Sequence, residues 1–168
     1  MKRNQLEVSD KILELTKNIP LPTTTETLII LKDRIYANIS IRPYDDSTKN
    51  HEKEIRWKRT ATQILEDGFV YDGKFCTDIV IVFLAACNAL NLETRFVKLK
   101  KEKYVHSVAE VKLDNDWYNF DVSNKTSLPI KGEITLENPY KDWQLWKKGH
   151  DAWDLELTDF DSIKKITL

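Results

Sequence analysis

Two cysteines and three histidines are the side chains of this sequence best suited to nucleophilic chemistry. Cys76 begins a segment that is apolar on nearly every side as far as Leu90, which predicts a buried helix with the thiol in its first turn. The free N–H groups and the positive dipole end of such a terminus stabilise an anion. They lower the usual thiol pKa of about 8.5, and a nearby imidazolium lowers it further. Cys76 is therefore the candidate nucleophile.

A nucleophilic thiol needs a general base, and the histidine best placed for that role is His106. It lies in an apolar segment predicted to form a strand, where an imidazole requires a polar partner. His51 and His150 stand in charged, turn-like surroundings and are expected at the surface. His106 is the candidate base.

The partner of His106 follows from a hairpin expected at Asp114-Asn115. A two-residue loop there pairs His106 with Ser123 and makes Asp121 a diagonal neighbour on the same face. Diagonal neighbours lie about 7–8 Å apart at the backbone, within reach of a carboxylate–imidazole hydrogen bond. We therefore predict that Asp121 orients His106. A register shifted by one residue would put the two side chains on opposite faces.

Each of these residues also has an ordinary structural interpretation. A free cysteine packs well in a core, which is the alternative for Cys76 and our interpretation of Cys87, a neighbour of several alanines. The two cysteines would lie about 16 Å apart along one helix, which is too far for a disulfide. A metal site built from Cys76, His106 and Asp121 lacks a fourth ligand at a suitable spacing. We expect no metal and no other cofactor.

The elements that would position these residues are helices first and strands afterwards. Apolar periodicity predicts helices that end near Leu15, begin near Thr24, span 52–65 and cover the buried segment from Cys76. Alternating, Val- and Tyr-rich segments predict strands over 94–99, 105–113, 117–122 and near 143–147, with a short helix after Thr158. Segregated helices and strands indicate an α+β domain whose buried central helix packs on an antiparallel sheet.

Several segments resemble the transglutaminase-like core of bacterial and archaeal proteins. They are 59–65, 73–78, 87–97, 106–111, 117–121 and the tail 146–155. The order Cys, His, Asp matches that family, as does the spacing from His106 to Asp121. The resemblance covers roughly residues 24–157. We take these as the core of a single domain over 1–168, with 1–22 as a helical N-terminal extension.

The resemblance implies a papain-like fold in which Cys76 is the nucleophile, His106 the base and acid, and Asp121 the residue that orients the imidazole. It also implies a thioester intermediate formed from an amide or peptide bond. A second oxyanion donor is expected beside the Cys76 backbone N–H, and Tyr71 is suggested for it only by its position ahead of the nucleophile.

Three further residues are weaker predictions for shaping the site or a substrate groove. Phe75, with Lys74, replaces the glycine that the family usually carries just before the nucleophile. Asp78 is either a first-turn anion opposite the helix dipole, which we favour, or a group that shapes the site. Trp117 is interpreted as a wall beside the hairpin.

Charge and composition restrict the class of partner. The formal net charge is −1, and the basic cluster Lys98, Lys100, Lys101 and Lys103 is interpreted as a solvated hairpin loop, so no nucleic-acid partner is expected. The longest apolar run, Ile79 to Cys87, is half the length of a membrane span, so no membrane is expected either. Residues 1–7 carry no apolar export signal, so a reducing cytoplasmic location is expected.

Our leading hypothesis is thiol-dependent acyl transfer or hydrolysis of a protein or peptide amide through a thioester on Cys76. Analogy with small microbial family members favours hydrolysis over cross-linking. The alternative is a catalytically idle domain of the same fold that binds peptides or proteins. The sequence leaves the oligomeric state open.

Overall fold

The helices are described here from a computed structural model, which covers residues 4–167. They are α1 (Asp10–Leu15), α2 (Thr25–Asn38), α3 (Lys49–Ile55), α4 (Ala61–Asp67), α5 (Cys76–Ala89) and α6 (Lys164–Thr167), with 3₁₀ turns at Trp153–Leu155 and Phe160–Ile163. Residues 1–3, on which part of the export-signal prediction rests, lie outside this range. Over 4–167, no helix is both long enough and apolar enough to cross a bilayer.

The strands of the same region form two sheets. β1 (Ser40–Arg42) and β2 (Phe69–Tyr71) make a small parallel pair. The larger sheet is antiparallel, with the order β6-β5-β4-β3-β7. Its strands are β3 (Thr94–Lys101), β4 (Tyr104–Leu113), β5 (Asp116–Phe120), β6 (Ile130–Lys131) and β7 (Gln144–Gly149). The predicted α+β class, with helices ahead of an antiparallel sheet, is confirmed.

The central helix α5 holds the core together. Its residues from Ile79 to Cys87 are all buried, as its uninterrupted apolar sequence predicts. It packs against α1, α2 and α4 and also against β3 and β4, and Phe83 meets Phe120 of β5 edge-to-face at 5.5 Å. Each large apolar side chain buried in this way contributes about 1.5–3 kcal/mol. The start of α5, where Cys76 lies, is therefore fixed against the sheet.

The hairpin between β4 and β5 has the predicted register. Ala109 pairs with Phe120 and Leu113 with Asp116, which leaves a two-residue loop with Asp114 at φ 55°. A tight hairpin turn requires a residue with positive φ, and Asp and Asn adopt this left-handed conformation readily. β5 pairs with β4 only from Ala109 onward, so the β5 side of β4 is unpaired at His106.

The two faces of the sheet pack into different clusters. Ala109 and Phe120 belong to the same core as α5, whereas Val108 packs on the other side with Ile134 and Tyr140. Because side chains alternate between the two faces of a strand, His106 lies on the same face of β4 as Val108. His106 therefore lies on the face of the sheet opposite the one that packs against α5.

The predicted single helix over 52–65 is two helices, α3 and α4. The chain between them turns at Trp57, whose φ of 60° is left-handed and incompatible with a continuous helix. Thr60 then starts α4 with a capping box in which it exchanges hydrogen bonds with Gln63. Gly68, at φ 73°, ends α4 as its position predicts.

Candidate active site

Cys76 is the first residue of α5 and is partly exposed. Phe75 precedes the helix without a capping side-chain bond, and the first turn closes when Ile79 N–H donates to the Phe75 carbonyl over 3.0 Å. The N–H groups of Cys76, Thr77 and Asp78 come before this bond and have no partner within the helix. Together with the helix dipole they favour negative charge on the sulfur.

His106 links Cys76 to Asp121. Its Nε2 lies 3.0 Å from Asp121 Oδ1, and its ring is near enough to the Cys76 thiol for each to shift the pKa of the other by hydrogen bonding and charge. Because Nε2 is occupied by the carboxylate, Nδ1 is the nitrogen left for the thiol. The structure thus brings together the three residues that the sequence predicts as the reactive centre.

Three further hydroxyl groups hold Asp121. Ser123 Oγ donates to Oδ1 over 3.1 Å, and the Tyr140 hydroxyl donates to Oδ2 over 2.9 Å. Ser127 Oγ donates to the Asp121 carbonyl. Burial alone would raise the pKa of Asp121, but the His106 bond and charge, then the bonds from Tyr140 and Ser123, lower it below its usual value. At neutral pH this carboxylate is an anion that stabilises an imidazolium.

The pKa values of Cys76 and His106 move in opposite directions. Burial tends to raise the Cys76 pKa, but the hydrogen bond to His106 and the charges of Lys98 and His106 lower it to about 6. Burial tends to lower the His106 pKa, but its hydrogen bonds to Asp121 and Cys76 raise it to about 10. Between these values the two residues form a thiolate–imidazolium pair, the reactive form of a cysteine nucleophile.

Lys98 supplies a second cation, which the sequence interpretation missed. Its side chain on β3 is fully buried, and Nζ lies 3.1 Å from Thr77 Oγ1 and 3.0 Å from Ser107 Oγ. Burial lowers the Lys98 pKa to about 8, against the opposing effect of the Cys76 charge. The prediction that Lys98 belongs to a solvated loop is wrong, because it lies on the inner face of β3, two residues from buried Phe96.

Trp143 covers the imidazole. Its ring centroid lies 5.2 Å from that of His106, with the two planes tilted by 33°. The indole precedes β7 and packs against the second apolar cluster of the sheet. It limits exposure of the His106 side chain to 18%, which weakens the competition of water for the hydrogen bonds of the ring.

The structure gives Tyr71, Phe75 and Trp117 contacts with residues other than Cys76, His106 and Asp121. The Tyr71 hydroxyl lies 2.7 Å from His51 Nδ1, which occupies it away from the thiol. Phe75 packs against the main core. Trp117 pairs with Lys112, six residues along β4 from His106, or about 20 Å.

Asp78 has a structural role near the site. It lies in the first turn of α5, and its Oδ2 is 3.0 Å from Arg59 Nη2. Arg59 also donates to Asp67 and to the Phe69 carbonyl, each over 3.1 Å. Burial raises the Asp78 pKa against the lowering effect of Arg59. This ion pair anchors the beginning of α5 to β2.

Some of the missed residues had a signal in the sequence. The predicted hairpin register places Ser123 opposite His106, and the alternation of buried residues along β3 marks Lys98. Tyr140 comes from a segment without periodicity and had none, whereas Trp143 was predicted only as the start of a strand. Within 4–167, no group of three or more His, Cys, Asp or Glu side chains is arranged to hold a metal ion.

Comparison with known proteins identifies the family and the fold of the chain. The transglutaminase-like superfamily matches residues 14–122, and the chain belongs to it. Its fold is similar to that of a candidate cysteine protease from Cytophaga hutchinsonii, with a TM-score of 0.58 and 17% identity over 91% of this chain and 48% of that one. It is also similar to Legionella pneumophila LapG, with a TM-score of 0.52 and 14% identity over 95% and 84%.

These likenesses differ in what they cover. The chain spans about half the length of the Cytophaga protein. Since the identities are low, the likeness of the chain to both solved structures is one of fold. No curated protein matches the chain. The match to residues 14–122 shows the family, and the two solved structures show the fold.

Proposed function

We propose that the protein transfers the acyl group of a protein or peptide amide to Cys76 and then to water. The observation that carries this proposal is the 3.0 Å hydrogen bond between His106 Nε2 and Asp121 Oδ1, in an imidazole that lowers the pKa of the Cys76 thiol. A buried, anionic carboxylate and an oriented imidazole are the two groups that a thiol nucleophile needs. A cavity of about 220 Å³ has Cys76 in its lining, and we take it as the route by which the substrate reaches the sulfur.

The first half of the proposed reaction forms the thioester. The Cys76 thiolate attacks the carbonyl carbon, and the C=O electron pair moves to oxygen. The His106 imidazolium then gives its proton to the amide nitrogen, the C–N bond breaks, and the amine leaves. Asp121 stays ionised throughout and holds the imidazole in place.

The second half releases the acyl group. Neutral His106 takes a proton from water, whose oxygen attacks the thioester carbon. The C–S bond breaks, the acid product leaves, and the Cys76 thiolate reforms opposite imidazolium. In both halves the backbone N–H of Cys76 can donate to the oxyanion, since it lies ahead of the helical ladder.

The test begins with the reactivity of the two thiols towards iodoacetamide. At pH 6 we expect Cys76 to react about tenfold faster than a free thiol, because its thiolate fraction is larger although its intrinsic nucleophilicity is lower. Cys87 should stay unlabelled, since burial raises its pKa and covers it. Peptide mapping of the intact protein, of Cys76→Ala and of Cys87→Ala assigns the label.

A peptide and amide library then tests turnover, with Cys76→Ala as the control. Cleavage that needs Cys76, with an acyl adduct on Cys76 in the mass spectrum, supports the proposal. Slow and equal alkylation of both cysteines would overturn it and would favour an idle domain that binds peptides.

A further inference from the structure

The cavity beside Cys76 has an unusual charge. Among the described residues, its lining includes four cationic side chains and no acidic one; the cations are Arg56, Lys74, Lys98 and Lys103. Trp57 and Tyr104 add aromatic surface. A thiol nucleophile needs one or two nearby positive charges to stabilise the thiolate, and this cavity holds more than that function requires.

One of the four cations is already neutralised. Arg56 makes a two-point contact with Glu52, in which Nε donates to Oε2 over 2.8 Å and Nη2 contacts Oε1. Both side chains are largely buried, so this pair is a fixed part of the cavity wall. Asp78, the other acid close to the cavity, is held by Arg59.

The three lysines have no carboxylate of their own within residues 4–167. Lys98 Nζ contacts two hydroxyl groups and the Trp57 ring, whose centroid is 4.5 Å away. Lys74 Nζ lies 5.0 Å from the Tyr44 ring, and Lys103 Nζ lies 5.5 Å from the Tyr104 ring. The charge of Lys98 is buried and only weakly screened, whereas Lys74 and Lys103 are exposed and free to reorient.

We propose that the exposed Lys74 and Lys103, aided by the charge of the buried Lys98, bind an anionic side chain of the substrate next to the amide that Cys76 attacks. We call these three residues the lysine pocket. This inference rests on the proposed function and adds a substrate class to it. The ligand chemistry is an anionic oxygen group, the carboxylate of Asp or Glu or the phosphate of a phosphorylated residue. A cavity of about 220 Å³ is smaller than the roughly 300–1,000 Å³ of drug-sized ligand sites, and suits one side chain.

The first test compares two small alkylating reagents that differ in charge. In both, the thiolate sulfur bonds to the CH₂ carbon and iodide leaves, so only the carboxylate of iodoacetate and the amide of iodoacetamide differ. The quantity measured is the rate of alkylation by iodoacetate divided by the rate of alkylation by iodoacetamide. At low salt we expect this ratio to be about tenfold higher for Cys76 than for N-acetylcysteine, and we expect it to fall as added salt screens the exposed lysines.

Variants assign this preference to the lysine pocket. Lys74→Gln and Lys103→Gln should each lower the iodoacetate to iodoacetamide ratio by about two- to fivefold. Both residues are exposed, so the variants should fold. Lys11→Gln, which removes an exposed lysine of α1 outside the cavity lining, should leave both rates unchanged.

The second test uses peptide chloromethyl ketones, whose methylene carbon bonds to the thiolate as chloride leaves. Matched reagents carry Asp or Asn, Glu or Gln, and phosphoserine or serine next to the reactive ketone. We expect the acidic member of at least one pair to inactivate the protein faster, and the pair that shows it identifies carboxylate or phosphate as the bound group.

The outcomes separate the two proposals. Fast alkylation of Cys76 without preference for the acidic reagents, or with a preference that survives both lysine substitutions, overturns the lysine pocket and leaves the acyl-transfer proposal standing. Slow alkylation by every reagent overturns both.

Discussion

The Lys98 ammonium lies 3.0 Å from the Ser107 hydroxyl, between two paired strands and the first turn of the central helix. Thr77 of that turn completes the group, because its hydroxyl is 2.8 Å from the Ser107 hydroxyl and 3.1 Å from the lysine. The cation is thus held by neutral oxygens, and the negative charge that most favours its protonated form is the Cys76 thiolate, ahead of Asp78. The ionisation of the Cys76 thiol therefore depends on the charge of Lys98 on β3.

Replacement of Lys98 by methionine should raise the Cys76 pKa by about one unit, because an opposite charge at this range lowers a pKa by one to three units. The midpoint of the rate of iodoacetamide labelling against pH measures this shift. Thr77 and Ser107 still hydrogen-bond each other in the variant, so the fold should remain. Lys100→Met, two residues along β3, is the matched control, and an equal shift in both variants would contradict a specific effect of Lys98.

The same lysine should make stability depend on pH. Its folded-state pKa of about 8 lies below the ordinary 10.5, so the unfolded chain binds the proton more strongly. Relative to Lys98→Met, the wild-type free energy of unfolding should therefore rise by about 1–3 kcal/mol between pH 7 and 10.5. Urea unfolding of the two proteins at both pH values measures the difference. A constant difference would show that Lys98 titrates normally.

The thiolate–imidazolium pair predicts a plateau in the reactivity of Cys76. The rate of alkylation should be half-maximal near pH 6, where the thiol ionises, and should stay level until His106 loses its proton near pH 10. His106→Gln removes the hydrogen bond and the charge, so the midpoint should move to about 8.5 or above. A midpoint that stays near 6 in this variant would mean that His106 does not activate the thiol.

The parts of the site that lie on regular elements could be predicted from the sequence. The period of two along β4 and the two-residue loop at Asp114 are enough to predict that His106 and Asp121 lie on the same face of the hairpin. The apolar run after Cys76 is likewise enough to identify the central helix. These features depend on local periodicity, which a single sequence contains.

Other parts depend on tertiary contacts that the sequence does not encode locally. A lysine in a basic cluster is usually solvated, and only its neighbours on α5 and β4 show that Lys98 is buried. Trp57 interrupts a sequence with helical periodicity because its ring packs into the main core from a left-handed backbone conformation. Tyr140 reaches Asp121 from a segment without periodicity. The strand predicted near 143–147 does not indicate that Trp143 packs on His106.

Tyr140 should act as a positioning residue for Asp121. Tyr140→Phe removes the donor to Oδ2, and a hydrogen bond to a charged group is worth about 1.5–3 kcal/mol. The Asp121 pKa should rise, the imidazole should be held less firmly, and alkylation of Cys76 at pH 6 should slow by about three- to tenfold. Proton NMR of His106 should show a lower imidazole pKa. Tyr118→Phe, in the same sheet, is the control and should change neither measurement.

The Arg59–Asp78 pair predicts how strongly the start of α5 is anchored. Arg59→Met leaves the largely buried Asp78 without its partner, and loss of one member of a buried pair costs about 3–5 kcal/mol. Urea unfolding measures this loss, with Arg42→Met as the control, because Arg42 is exposed and should cost less than about 1 kcal/mol.

The dependence of that loss on pH distinguishes an unpaired charge from lost packing. Without Arg59, the Asp78 pKa should rise further above its unfolded value, so that the folded protein binds the proton more strongly. The variant should therefore regain stability relative to the wild type as the pH falls through the raised pKa of Asp78. The double variant Arg59→Met/Asp78→Asn should regain about 1–3 kcal/mol at neutral pH. If the double variant is no more stable than Arg59→Met at pH 7, Arg59 stabilises the helix by packing and by its bond to the Phe69 carbonyl.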